Sequence, residues 1–201
     1  CHKMAAWHFR EGKGVNLRNL ASALSTLNEH KTLAIGVVAG FFLAFALKQY
    51  LKEAVVLALL ASISVFSTIY KRFMRVPPAV ELVTFSTVMV GVAYGPVTGA
   101  LFGAIITVVA EIMNSGIDAF IVGYVPGRAV VGFVSAYFPA ANIVTLGLLM
   151  SVLYNAIAQP MYAFQSDAEL RFKLLAFVVV NISFNFIIFS LLGDFVRGII
   201  A

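Results

Sequence analysis

From Thr32 onward the chain is a succession of apolar runs, the longer ones close to the ~20 residues that carry a helix across a hydrocarbon core about 30 Å thick. No other feature constrains the fold so tightly. The 201 residues are 61% hydrophobic and 11% charged, with a mean hydropathy of +0.97. Soluble domains are typically about 45–50% apolar and about 25% charged. A water-soluble fold of this length could not bury so much apolar surface, and a disordered chain would carry far less of it. A transmembrane β-barrel would alternate polar and apolar residues in segments of about ten, whereas these runs are unbroken. The expected fold class is therefore all-α, a polytopic transmembrane bundle of six to seven helices in the cell membrane.

Residues 1–31 differ in kind. They carry Lys3, Arg10, Lys13, Arg18 and Lys31, with Leu17, Leu20, Leu24 and Leu27 at helical spacing and Asn16 as a possible cap. Two readings stay open: an amphipathic helix at the membrane surface or a solvated extension of the first span. The segment is too polar near its start for a signal peptide. Beyond it, Thr32–Leu51 and Glu53–Tyr70 read as spans separated by Lys48, Lys52 and Glu53. Lys71, Arg72, Arg75, Pro77 and Pro78 make a basic, helix-breaking loop. Glu81–Tyr94 and Val97–Met113 flank Gly95-Pro96. Asn114–Pro126 reads as a loop, and Arg128–Phe138 as a short helix reaching back to Tyr124. Asn142–Tyr162 and Leu174–Val196 are the last two spans. The domain reading is a polar tail over 1–31 and a helical domain over 32–201, within which 32–51 is accessory.

The residues argue against catalysis. There is no HExxH, Walker motif or GxSxG, and the intramembrane carboxylates Glu81, Glu111 and Asp194 are scattered. Cys1 and the histidines His2, His8 and His30 lie in the polar tail, so a transition-metal site in the bilayer would lack its usual ligands. No cofactor is expected and the chain reads as a non-enzyme. The net charge of +5 reads as a topology signal rather than a nucleic-acid signal.

Small residues recur every four positions: Gly91, Gly95, Gly99 and Gly103; Gly36, Gly40 and Ala44; Ala54, Ala58 and Ser62. Such faces let helices approach closely in lipid, within the bundle or against a partner. Ionisable residues at depth are costly and often functional. Glu111 and Arg128 flank one loop. They either neutralise each other or line a polar pocket, whereas Glu81, beside the basic loop, reads as an interfacial charge. Asn155, Gln159, Asn181 and Asn185 are amides in apolar spans, suited to interhelical hydrogen bonds. Tyr124 and Tyr154 could stack on a planar ligand or mark an interface.

The stretch Val80-Glu81-Leu82-Val83-Thr84-Phe85 followed by Ala93-Tyr94-Gly95-Pro96-Val97-Thr98-Gly99-Ala100-Leu101-Phe102-Gly103-Ala104 resembles the substrate-binding S-components of energy-coupling factor (ECF) transporters. The resemblance lies in an aromatic-Gly-Pro turn followed by spaced glycines. Val125-Pro126-Gly127, Tyr154 to Pro160 and Asn181 to Gly193 extend the likeness over roughly residues 54–200. The resemblance implies a six-helix subunit that captures a vitamin or related cofactor precursor. It also implies docking on a transmembrane coupling subunit that works with two ABC-type ATPases, with Ala54, Ala58 and Ser62 as the docking face. The expected substrate-binding residues are Glu111, Asn114, Tyr124, Arg128 and Gln159. They lie near one end of the bundle, which also holds the loops 71–80, 114–126 and 165–173. Two other classes compete: a non-transporting scaffold subunit of a cell-envelope complex, similar to the MreD group, and a lipid-modifying enzyme. The excess of Lys and Arg on the 71–80 side favours placing that side in the cytoplasm, opposite to the orientation the resemblance implies.

Overall fold

The computed structural model describes residues 17–73, 80–114, 121–165 and 168–200. They form six α-helices: α1 Leu17–Ser67, α2 Val83–Tyr94, α3 Pro96–Met113, α4 Ile121–Ser135, α5 Ile143–Gln165 and α6 Ala168–Ile200. A single 3-10 turn, Ile69–Arg72, follows α1, and no strand occurs among the described residues. The fold is all-α, as composition and run length require.

The chain divides into two compact units, Cys1–Leu51 and Lys52–Ala201. In the first, the described side chains are those of a lipid-facing helix: Val37, Phe41, Phe42, Phe45 and Tyr50 are all exposed. The expected break between two spans at Lys48–Glu53 is absent, because α1 is continuous across it. Lys and Glu are good helix formers and neither Gly nor Pro stands there, so nothing in the backbone ends the helix. The side chains of Leu17, Leu20, Leu24 and Leu27, and the cap Asn16, lie outside the described residues.

The second unit is built around its shortest α-helix. At about 18 Å, α2 is too short to cross the hydrocarbon core, and Val83 through Gly91 are all buried. It packs against α3, α4, α5 and α6, and Phe85 meets Phe189 of α6 with ring centroids 5.0 Å apart. A helix with no charged residue and a mostly apolar surface belongs inside other helices. By length and composition, α3, α5, α6 and the Tyr50–Ser67 part of α1 can each cross a membrane. Their surface inverts the soluble pattern. On α6, Val179, Phe186, Leu191 and Phe195 are exposed, while Asn181 and Asn185 are fully buried. The chain is an α-helical membrane protein.

Gly95 joins α2 to α3 in one residue. Its φ of 90° and ψ of 176° belong to a region essentially reserved for glycine. Its N–H donates to Gly91 O and its carbonyl accepts from Gly99 N–H, while Pro96 starts α3 at the position where a missing N–H loses nothing. No atom stands within 4 Å of a Cβ built on Gly95. Gly95→Ala should therefore destabilise through backbone strain alone, by about 1–3 kcal/mol, read as a lower unfolding midpoint with unchanged helicity.

The glycine stripe is consumed inside the chain. A Cβ on Gly91 would overlap Ser135 Oγ and Gly132 O, one on Gly99 would overlap Gly132 O, and one on Gly103 would overlap the Arg128 carbonyl. These contacts close α2, α3 and α4 onto one another. Ala54, Ala58 and Ser62 differ, since all three are exposed.

Helix α4 begins at Ile121, three residues before the Tyr124 to which it was expected to reach back, and carries Pro126 inside it. Pro126 stands near the start of the helix on the exposed side, so its lost hydrogen bond leaves a carbonyl near the surface rather than in the core.

Candidate functional site

Among the described side chains Arg128, on α4, is the least exposed charge, at 3%. The neutral groups that hold it come from two other helices. Its Nη1 donates to Thr84 Oγ1 on α2, and its guanidinium carbon lies 3.5 Å from the ring centroid of Tyr154 on α5. Gly127 lets the tyrosine in, because a Cβ there would lie 3.2 Å from the Tyr154 ring. The Arg128 Nη2 donates to Glu81 Oε1, and Thr84 Oγ1 donates to that same oxygen at 3.1 Å. An arginine this far from water needs each of these partners, since desolvating an ion pair is costly unless its geometry and extra hydrogen bonds compensate.

Glu81 is not in a helix. It precedes α2 on the segment Val80–Leu82, which is stitched to the end of α1 and its 3-10 turn. Leu82 N–H donates to Ser67 Oγ at 2.9 Å, and Val80 N–H donates to Tyr70 Oη at 3.2 Å. Tyr70 lies beyond the span. Burial is the larger cause that pushes its phenol above the ordinary value, the Val80 N–H opposes it and the Glu81 charge adds to it. Close by, Asn114 Nδ2 at the end of α3 donates to Thr68 Oγ1 at 2.8 Å.

A row of amides joins α5 to α6. Asn155 Nδ2 donates to Asn181 Oδ1 at 3.0 Å and to Ser151 O at 2.8 Å. Gln159 Nε2 reaches Asn155 Oδ1 at 3.4 Å. Three buried amide oxygens, Asn114 Oδ1, Gln159 Oε1 and Asn185 Oδ1, have no hydrogen-bond donor among the described residues. Each is an acceptor left over at a cost.

The helices are unequal at this end. Arg128 ties Thr84, in the first turn of α2, to Tyr154 of α5, yet α5 continues about 16 Å past Tyr154 to Gln165. Likewise α6 begins about 20 Å before Asn181. The charged cluster therefore sits well below the helix ends that border it.

Of the expected site residues, the structure gathers Arg128 with Glu81, Thr84 and Tyr154, Asn114 with Thr68, and Gln159 with Asn155 and Asn181. Glu111 is half-buried on α3, and Tyr124 is half-buried and packed against the core. The carboxylate in ion-pair contact with Arg128 is that of Glu81, a partner that the sequence does not assign to it. Glu81, read from its neighbours as an interfacial charge, is enclosed by protein and 5% exposed. The side chains of Lys71, Arg72 and Arg75, the basic residues of the loop, lie outside the described ones. No family model, curated protein or solved structure matches the chain.

Proposed function

We propose that the chain is the substrate-binding subunit of an ECF-type importer, a multi-pass protein of the cell membrane that captures a vitamin or related small cofactor precursor. The carrying observation is the buried Arg128 cluster, set below the ends of α5 and α6 and held between α2 and α4, the two described helices too short to span. In transporters, short helices buried at membrane depth mark the binding site. A mostly apolar site with a few placed polar groups suits a small molecule. Arg128 supplies donors and an aromatic stack, while Asn114 and Gln159 offer acceptors. Every role here is binding and orientation, with no bond made or broken. Ala54, Ala58 and Ser62, exposed on α1, supply a close-approach face for a transmembrane coupling subunit, which in turn works with two ABC-type ATPases.

The test is affinity isolation of the tagged chain from its native membrane, with mass spectrometry of co-purifying proteins and of an organic extract. The expected result is an ATPase-bearing complex and a small bound molecule. Ala58→Trp should remove the partner proteins and leave the bound molecule, because bulk on that face blocks helix approach without touching the Arg128 cluster. Envelope proteins without an ATPase, and no small molecule, would reject the importer and favour a scaffold subunit.

A further inference from the structure

The Glu81–Arg128 pair is built asymmetrically, and the asymmetry separates the group that stays from the group that can leave. Arg128 is fixed by neutral partners, the Thr84 hydroxyl and the Tyr154 ring, both on helices packed in the core. Glu81 belongs to the non-helical segment ahead of α2 and is next to exposed Val80. Its contact with the guanidinium runs through one oxygen, Oε1, which also serves Thr84. A guanidinium presents a planar fork that a carboxylate or phosphate fills with two parallel bonds, and this two-bond form is the stronger one. The resident pair leaves that form unused.

We infer that Arg128 is an anion-recognition residue and that Glu81 holds the place of the ligand's carboxylate or phosphate until a ligand arrives. The inference rests on the reading of this end as a binding site and names the class of molecule it takes: a small water-borne organic anion. The incoming anion takes the fork, Glu81 withdraws with its own short segment, and Thr84 and Tyr154 keep the guanidinium in place. No covalent change is involved.

The experiment uses the full chain, labelled with [13Cζ]arginine, in nanodiscs of phosphatidylcholine. The Arg128 resonance is assigned by its loss in Arg128→Lys. Acetate and inorganic phosphate are the probes, with acetamide as the neutral counterpart of acetate and chloride as the non-specific anion. In Glu81→Gln the competing carboxylate is gone while shape is kept. The Arg128 signal should then titrate with acetate or phosphate at concentrations about tenfold or more below those needed in the unsubstituted chain. Acetamide should not move it. Should Glu81→Gln fail to fold, Glu81→Asp shortens the resident arm and should shift the titration the same way. An Arg128 signal unmoved by either anion in a folded variant overturns the inference, as does an equal response to chloride, which is an adventitious ion only. A full shift on adding phosphatidylglycerol alone overturns it too, in favour of a lipid headgroup. A failed search for ATPase partners with a positive titration removes the importer and leaves the anion site, and the converse outcome does the reverse.

Discussion

Arg128→Leu should destabilise the bundle by about 3–5 kcal/mol, the cost of stranding a buried carboxylate whose partner has been taken away. With its cation gone, Glu81 is a nearly inaccessible carboxylate ahead of an enclosed helix. Adding Glu81→Leu to Arg128→Leu should recover most of that loss, because an apolar pair of similar volume carries no desolvation penalty. Reversible unfolding of the two single variants and the double variant in mild detergent measures the coupling. If the double variant were as unstable as the sum of the singles, the pair would not be coupled. The same double variant should bind no anion, which separates stability from recognition.

Gly132→Ala should destabilise by about 3 kcal/mol, at the upper end of what overpacking costs. Its new methyl would fall on the carbonyl of Gly99 and the amide nitrogen of Ala100. Those are backbone atoms of α3 with no rotamer to move to, so α3 and α4 must separate. Separation also loosens Gly91 and Gly103, which close against the same surfaces. Gly40→Ala is the control, since nothing lies within 4 Å of a Cβ there. It should be neutral or stabilising by about 0.5–1 kcal/mol, as alanine in an exposed helix is favoured over glycine. Thermal unfolding monitored by helical circular dichroism distinguishes the two, and equal losses at both positions would show that the glycine interlock is not what holds these helices.

Much of the architecture is legible in the residues themselves, for local reasons. Run length and polarity determine membrane helices, and Gly95-Pro96 carries its turn in the backbone restrictions of two adjacent residues. The misread elements have non-local causes. Lys48, Lys52 and Glu53 look like an interface because charge suggests water, but charge does not end a helix. Glu81 looks interfacial from its neighbours Lys71, Arg72 and Arg75. Its burial comes from the packing of α2 against four other helices and from Arg128 on one of them. Its partner stands 47 residues away, whereas Arg128 and Glu111 flank a single loop. The one local hint was the spacing of Glu81 and Thr84, a carboxylate and a hydroxyl three residues apart at a helix start, where they can share a hydrogen bond.

The enclosure of α2 has a consequence for how the protein is made. A helix of about 18 Å cannot be handed to the bilayer alone, because its ends would leave unpaired backbone groups in hydrocarbon. The one-residue joint at Gly95 provides the way in: α2 enters as one arm of a hairpin whose other arm, α3, is long enough to be inserted. Until α4 is synthesised and Gly132 seats against Gly99, that short arm is covered on its α3 side alone, and Glu81 waits for Arg128. Biogenesis therefore has a vulnerable interval between the emergence of Glu81 and that of Arg128, during which the nascent chain carries a charge at the head of a half-covered short helix.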